Sequence, residues 1–105
     1  MLFVETPVFT SLVDDLLDDE EYRSLQLALL LRPEQGPLIR GSGGLRKVRW
    51  RIKGRGKRGG LRVIYYFDSS KQTIYLLFIY SKSEQGDLTP AQVRTLGGVV
   101  REEFR

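Results

Sequence analysis

The 105-residue chain contains no cysteine and no histidine. Without cysteine it can form neither a disulfide nor a thiolate metal site. Without histidine it has no imidazole for acid–base catalysis and a poor ligand set for zinc. Long hydrophobic runs are absent too, since the longest, Ile74 to Tyr80, has seven residues, far fewer than a membrane span requires. We therefore expect a soluble, cytoplasmic protein that uses no metal or other cofactor and does not enter a membrane.

Charge is distributed unevenly along the chain, although the net charge is only +4. Residues 1–35 carry eight acids and two bases, residues 36–83 carry twelve bases and one acid, and the remainder carries three bases and four acids. The middle block, with a net charge of +11, is complementary to a phosphate backbone, and we interpret it as a nucleic-acid-binding surface. The alternative is a basic face that serves only solubility.

The first third of the chain predicts one strand and two helices. Residues 2–5 form the strand, and Thr6 and Pro7 are typical of a helix N-cap and first helical position. A second helix begins at 18–19 and ends before Pro33. The acids in its first turn suit the positive end of the helix dipole. Helix capping and solvation therefore explain the acidic cluster, and an acidic binding role is the alternative.

Beyond the glycine-rich segment 41–44 the residue pattern alternates, which predicts strands. Three apolar residues point to one side of the first strand: Val48, Trp50 and Ile52. Four cations point to the other side: Lys47, Arg49, Arg51 and Lys53. The strand is therefore half-buried and carries a row of cations on its open face.

Two further strands, 61–68 and 73–82, are joined by short connections, which favour an antiparallel arrangement. The run from 74 to 80 is apolar on both faces and should be central and covered. Thr89 and Gln92 form a capping-box signature for a last helix, which the Gly97–Gly98 pair weakens.

The element order is βααβββα within a single domain, residues 1–105. We predict an α+β fold with a mainly antiparallel sheet, the helices packed on one face, and the cations on a partly open opposite face.

The basic loop, residues 54–60, matches the dinucleotide pattern G-x-G-x-x-G at Gly54, Gly56 and Gly59. That motif requires a helix after it, whereas here a strand follows, so we reject the match. The cations of the same loop, Arg55, Lys57 and Arg58, are available to phosphates. An ordinary solvated hairpin tip is the alternative.

The cationic row, together with Arg62 and Lys82 on the next two strands, indicates phosphate binding more specifically than the basic loop does. Arginine grips phosphate through two parallel hydrogen bonds and stays charged. Neighbouring cations lower the pKa of a lysine toward the range useful for proton transfer. For any one of these residues the alternative is plain surface charge.

Three stretches in this order resemble the RelE superfamily of type II toxins, and most closely its HigB-like branch. They are residues 43–49, 54–67 and 75–84, and the element order agrees over essentially the whole chain. The resemblance implies a RelE-like fold and a ribosome-dependent endoribonuclease that cuts messenger RNA in the A site. In such a reaction the 2′-hydroxyl attacks the adjacent phosphate and the 5′-oxygen leaves.

By position, the resemblance implies roles for four cations. Lys47 or Lys82 transfers protons, Arg62 stabilises the charge of the phosphorane, and Arg49 shares the phosphate contacts. Tyr80 is two residues before Lys82, on the same side of the strand, and is a further catalytic candidate. The identity of the general base stays open. RNA contacts would come from the remaining cations of this region: Arg51, Lys53, Arg55, Lys57 and Arg58.

The resemblance also implies partners, namely the 70S ribosome, its messenger RNA and a cognate HigA-like antitoxin with a helix-turn-helix. Two other functions remain open at this point. The same fold serves ParE-type toxins, which inhibit DNA gyrase and cleave no RNA, although these largely lack a basic active face. A basic RNA-binding module without catalysis is the other.

Overall fold

The computed structural model describes residues 1–52 and 60–104. Within them the secondary structure follows the predicted order βααβββα. The elements are β1 (Leu2–Glu5), α1 (Pro7–Leu16), α2 (Asp19–Leu31), β2 (Arg46–Arg51), β3 (Gly60–Asp68), β4 (Thr73–Ser81) and α3 (Pro90–Val99), which continues into a π-helical turn (Val100–Phe104). The predicted α+β fold is confirmed.

The helices begin at the residues that the sequence marks as caps. Thr6 Oγ1 accepts a hydrogen bond from the backbone N–H of Phe9, and Pro7 occupies the first turn. α2 and α3 both begin with a complete capping box, Asp18 with Glu21 and Thr89 with Gln92. Each box satisfies backbone N–H groups that have no partner within the helix.

The four strands are arranged in the order β1-β4-β3-β2. β2, β3 and β4 pair antiparallel, whereas β1 lies parallel to β4. In this register Arg49 lies opposite Arg62, and Arg62 lies opposite Tyr80. Directly opposed residues of neighbouring strands share a face of the sheet, so these three side chains form one row across it.

A bulge in β4 decides which residues reach that row. Tyr65 pairs with Leu76 while Ile64 pairs with Phe78, so Leu77 is the extra residue of β4. Thr6 at the start of α1 donates a hydrogen bond from its hydroxyl to the Leu77 carbonyl, at 2.9 Å. The bulge resets the alternation of side chains.

The helices α1 and α2 pack on one face of the sheet, as predicted. Phe9 and Val13 of α1 and Leu25 and Leu29 of α2 are almost fully buried against the sheet. The sheet residues of this core, together with Ile52 directly after β2, are Val48, Leu61, Val63, Tyr65, Ile74, Leu76 and Ile79.

The third helix corrects the prediction that all helices lie on one face. Leu96, Val99 and Val100 pack in a second core with residues of opposite parity on β3 and β4. The sheet residues there include Ile64, Tyr75 and Leu77, which are at most 8% exposed. β3 and β4 are apolar on both faces, and the C-terminal segment supplies the cover that their second face needs.

α3 docks on the loop before β2 through a glycine. A Cβ built on Gly97 would lie 2.7 Å from the backbone oxygen of Ser42, closer than real Cβ atoms approach other atoms. Ser42 itself is buried. Glycine at 97 therefore permits a close approach of helix and loop, although it lowers helix propensity.

We expect Gly97→Ala to lower the free energy of unfolding by about 1–2 kcal/mol, because the helix must move away from Ser42. Gly98→Ala is the matched control, since a Cβ there meets nothing nearer than the end of the Arg101 side chain at 3.7 Å. It should raise stability by up to about 1 kcal/mol. Denaturant unfolding measures both variants, and equal effects would contradict the close docking.

None of the helices in the described part of the chain is both long enough and apolar enough to cross a lipid bilayer.

Candidate functional site

The cationic face of the sheet is the surface formed by Lys47 and Arg49 of β2, Arg62 of β3, Tyr80 of β4 and Lys82, which follows β4 directly. Arg49, Arg62 and Tyr80 are in register across three strands. Lys47 lies two residues before Arg49 and so on the same face. The alternation of β2 thus places these cations as the sequence predicts.

Arg62 is the unusual member of the cationic face, because it is only 8% exposed. Its guanidinium Nη1 donates to the backbone carbonyl of Leu61 at 3.3 Å. Among the residues that the structure describes, no carboxylate lies within ion-pair distance of it. A buried charge is normally paired, so this guanidinium is suited to an anion from outside.

Lys82 meets Arg62 beside a glycine. The backbone N–H of Lys82 donates to the Gly60 carbonyl at 2.9 Å. A Cβ built on Gly60 would lie 3.6 Å from both Arg62 Nη1 and the Lys82 Cβ. The two cationic side chains therefore flank the same small gap, which Gly60 leaves open at the end of β3.

Lys47 forms an ion pair that sequence reasoning missed. Its Nζ donates to Asp87 Oδ1 at 3.2 Å, and the same oxygen accepts from the backbone N–H of Leu88 at 2.8 Å. The hydrogen bond from Leu88, the ion pair with Lys47 and the charge of Arg62 together hold the pKa of Asp87 below its ordinary 3.8. Asp87 is therefore ionised throughout the neutral range.

A chain of amides fixes Asp87 relative to α3. Gln85 Nε2 donates to the backbone carbonyl of Asp87 at 2.8 Å and to Gln92 Oε1 at 2.6 Å. Gln92 Oε1 also accepts from the N–H of Thr89 in the capping box. Gln92 thus caps α3 and holds the loop that contains Gln85 and Asp87. In the sequence, the capping-box position of Gln92 was the one indication that this loop is ordered.

Tyr80 lies on β4 directly opposite Arg62. Its side chain is 4% exposed, and its hydroxyl is buried with no hydrogen-bond partner among the described residues. Burial raises the pKa of Tyr80 above 10.0, and the Asp87 carboxylate adds to this while Arg62 opposes it. The phenol is therefore neutral and lies beneath the surface of the cationic face.

A groove of about 620 Å³ continues the cationic face past the edge of β2. Lys47 and Arg49 line it on one side, and Asp87, Leu88 and Val93 line it on another. The segment 35–40 forms the remaining wall. Two backbone hydrogen bonds hold this segment against β2, from Lys47 to Pro37 and from Ile39 to Leu45.

The other predicted RNA contacts fall partly outside this description. Arg51 is exposed at the end of β2. Lys53, Arg55, Lys57 and Arg58 lie outside the described residues, as do the glycines of the basic loop. In residues 1–52 and 60–104 no three acidic side chains cluster in a way that would hold a metal ion.

The ion pair between Lys47 and Asp87 predicts how the Asp87 carboxyl titrates when Lys47 is replaced. Lys47→Met should raise the pKa of the Asp87 carboxyl only part of the way to 3.8, since the larger cause, the hydrogen bond from Leu88, remains. Carboxyl-carbon NMR measures this directly. A pKa that does not change, or one that returns fully to the ordinary value, would contradict the arrangement of Asp87 between Leu88 and Lys47.

The sequence matches no protein-family model. Two solved structures are similar to the chain. A double arginine-to-alanine mutant of E. coli toxin RelE in the free state has a TM-score of 0.60 at 13% identity, covering 96% of both chains. A chain of the intact E. coli RelBE toxin–antitoxin complex has a TM-score of 0.53 at 14% identity, covering 74% of this chain and 92% of its own. The resemblance to RelE seen in the strand motifs thus extends to the whole architecture, and the chain has the RelE toxin fold.

Proposed function

We propose that the chain is the toxin of a type II toxin–antitoxin system and acts as a ribosome-dependent endoribonuclease on messenger RNA. The observation that carries this proposal is the buried Arg62 guanidinium, which has no carboxylate partner among the described residues and lies beside Lys82 and Arg49. A fixed, partly dehydrated guanidinium stabilises phosphate charge far better than a solvated one. The RelE fold is the supporting context.

In the proposed reaction the 2′-hydroxyl of one nucleotide attacks the adjacent phosphorus, and the bond to the 5′-oxygen breaks. The products are a 2′,3′-cyclic phosphate and a free 5′-hydroxyl. Arg62 stabilises the negative charge that grows on the non-bridging oxygens, and Arg49 shares those contacts. No step requires a metal or another cofactor.

Two protons move in this reaction. The attacking hydroxyl loses one, for which the ionised carboxylate of Asp87 next to Lys47 is a weak acceptor, since the contacts that lower its pKa also lower its basicity. The leaving 5′-oxygen gains one, which Lys82 or Lys47 donates. Asp87 supplies an acceptor in a chain without histidine. Tyr80 contributes only if its buried hydroxyl becomes accessible when RNA binds.

The partners follow from the same proposal. Messenger RNA in the ribosomal A site is the substrate, and a cognate antitoxin holds the protein inactive in growing cells. The solved RelBE complex shows a similar chain together with its antitoxin, which supports the existence of such a partner. The HigB-like branch and a HigA-like antitoxin with a helix-turn-helix remain predictions, as does a cytoplasmic location.

A purified translation system tests the proposal. Wild-type protein should cut a reporter message within the codon in the A site, and primer extension locates the new ends. A gyrase supercoiling assay is run on the same preparation. Intact message together with inhibited gyrase would replace the proposal with a ParE-like function. Intact message together with salt-dependent RNA binding alone would indicate a module without catalysis.

A further inference from the structure

The groove beside β2 has a different character from the cationic face that it extends. Its walls include the aliphatic residues Pro37, Ile39, Leu88 and Val93. Its volume of about 620 Å³ lies within the range of roughly 300–1,000 Å³ that is typical of small-molecule sites. It is therefore a mixed site, with an apolar interior and a polar edge where Lys47 and Arg49 lie beside the Asp87 carboxylate that pairs with Lys47.

The position of the cations restricts what can enter. Lys47 and Arg49 belong both to the cationic face and to the wall of the groove. A phosphate bound by these two residues carries its own nucleoside into the adjoining space, since phosphate and sugar are covalently linked. Charge and continuity with the cationic face thus favour a nucleotide of single-stranded nucleic acid over an uncharged ligand.

We infer that the groove is a nucleoside subsite, which takes one base and sugar of a single-stranded nucleic acid while Lys47 and Arg49 hold the attached phosphate. The inference rests on the proposed function for its RNA substrate, but the binding itself requires no catalysis. Aliphatic side chains contact the flat face of any base. The subsite therefore responds to the presence of a base more than to its identity.

The walls are held in a way that suits a preformed site. The segment from Pro37 to Ile39 is bonded to β2, and Gly36 is bonded to the buried Tyr65 hydroxyl at 3.0 Å. The opposite wall is fixed by the chain from Asp87 through Gln85 to Gln92. Rigid walls reduce the entropy that binding costs.

Abasic oligonucleotides test the subsite on the free protein. The probes are single-stranded DNA pentanucleotides, which lack the 2′-hydroxyl and cannot undergo the proposed cleavage. One set is intact, and the other set has an abasic sugar at a single position with every phosphate retained. We expect wild-type protein to bind the intact probe about fivefold more tightly than the probe that is abasic at the subsite position.

Two leucine variants locate the effect. Leu88→Ala removes part of the apolar wall, and it should bind intact and abasic probes within about twofold of each other, because phosphate binding remains. Leu16→Ala is the matched control, since Leu16 is also half-buried but lies on α1 on the other side of the sheet. It should keep the full difference between probes.

Three outcomes would overturn the inference. Wild-type protein could fail to distinguish intact from abasic probes at every position, or Leu88→Ala could retain the wild-type difference. Leu88→Ala could also weaken antitoxin binding while leaving both probes unchanged, which would make the groove a protein-docking surface. Failure of the proposed function is a separate result, because a protein that cuts no message can still bind the probes as expected.

Discussion

Arg62→Ala should reduce messenger cleavage on the ribosome by about 100-fold or more. Arg62 is the buried centre of the cationic face, and nothing else described there combines a permanent charge with so little exposure to water. Arg62→Lys keeps the charge but loses the planar pair of donors, so its activity should lie between those of wild type and Arg62→Ala. Single-turnover cleavage by ribosome-bound protein measures the three rates.

Arg23→Ala is the control for this series, because Arg23 is exposed on α2, away from the cationic face. It should cleave at the wild-type rate. Thermal unfolding is recorded for all variants to separate chemistry from stability. Arg62→Ala leaves no described carboxylate unpaired but removes the packing of a buried aliphatic stem, so we expect a folded protein of reduced stability. Wild-type cleavage by folded Arg62→Ala would contradict the role of this residue.

Tyr65→Phe should lower the free energy of unfolding by about 2–3 kcal/mol. The Tyr65 hydroxyl donates to the Pro33 carbonyl at 2.7 Å and accepts from the N–H of Gly36 at 3.0 Å. Without it, the buried N–H of Gly36 loses its partner. The same hydroxyl holds the segment that forms a wall of the groove, so the variant should also weaken nucleotide binding.

Tyr80→Phe is the matched control, since it makes the same chemical change in the same sheet. The Tyr80 hydroxyl is buried and has no partner within the described residues. Its removal should change stability by no more than about 0.5 kcal/mol, or increase it. Denaturant unfolding compares the two variants. Equal losses of unfolding free energy in the two variants would contradict the difference in hydrogen bonding between the two hydroxyls.

The fold could be predicted largely from local sequence signals. Alternation in β2 separates Val48 and Trp50 from Lys47 and Arg49, and the caps at Thr6, Asp18 and Thr89 each begin a helix as the sequence indicates. Such signals depend on neighbours in the sequence. They are therefore available without tertiary contacts.

The position of α3 could not be predicted in the same way. Its apolar stripe indicates that it packs on something, but not on which face of the sheet. The two-sided apolar character of β3 and β4 was the available signal, because residues such as Ile64 and Leu77 need a cover of their own. Gly97 contributes through its contact with Ser42, which is distant in sequence.

The candidate site likewise contains residues that the sequence predicts and residues that only the folded structure reveals. The cations were predicted because they recur at strand period, whereas Asp87 was missed because its partner Lys47 lies forty residues away. The unusual burial of Arg62 arises on β3 between its two paired neighbours, β2 and β4. Both pairings form only on folding, so its chemical distinction from Arg49 emerges only in the folded chain.

The most direct test of the central claim uses ribosomes programmed with two messages that differ in a single atom. One has ribose throughout, and the other has a 2′-deoxyribose at the nucleotide whose 2′-hydroxyl would attack. Wild-type protein should cut the first message, leave a 2′,3′-cyclic phosphate, and leave the second message intact at that position. Equal cutting of both messages, or of neither, would contradict an endoribonuclease centred on the cationic face.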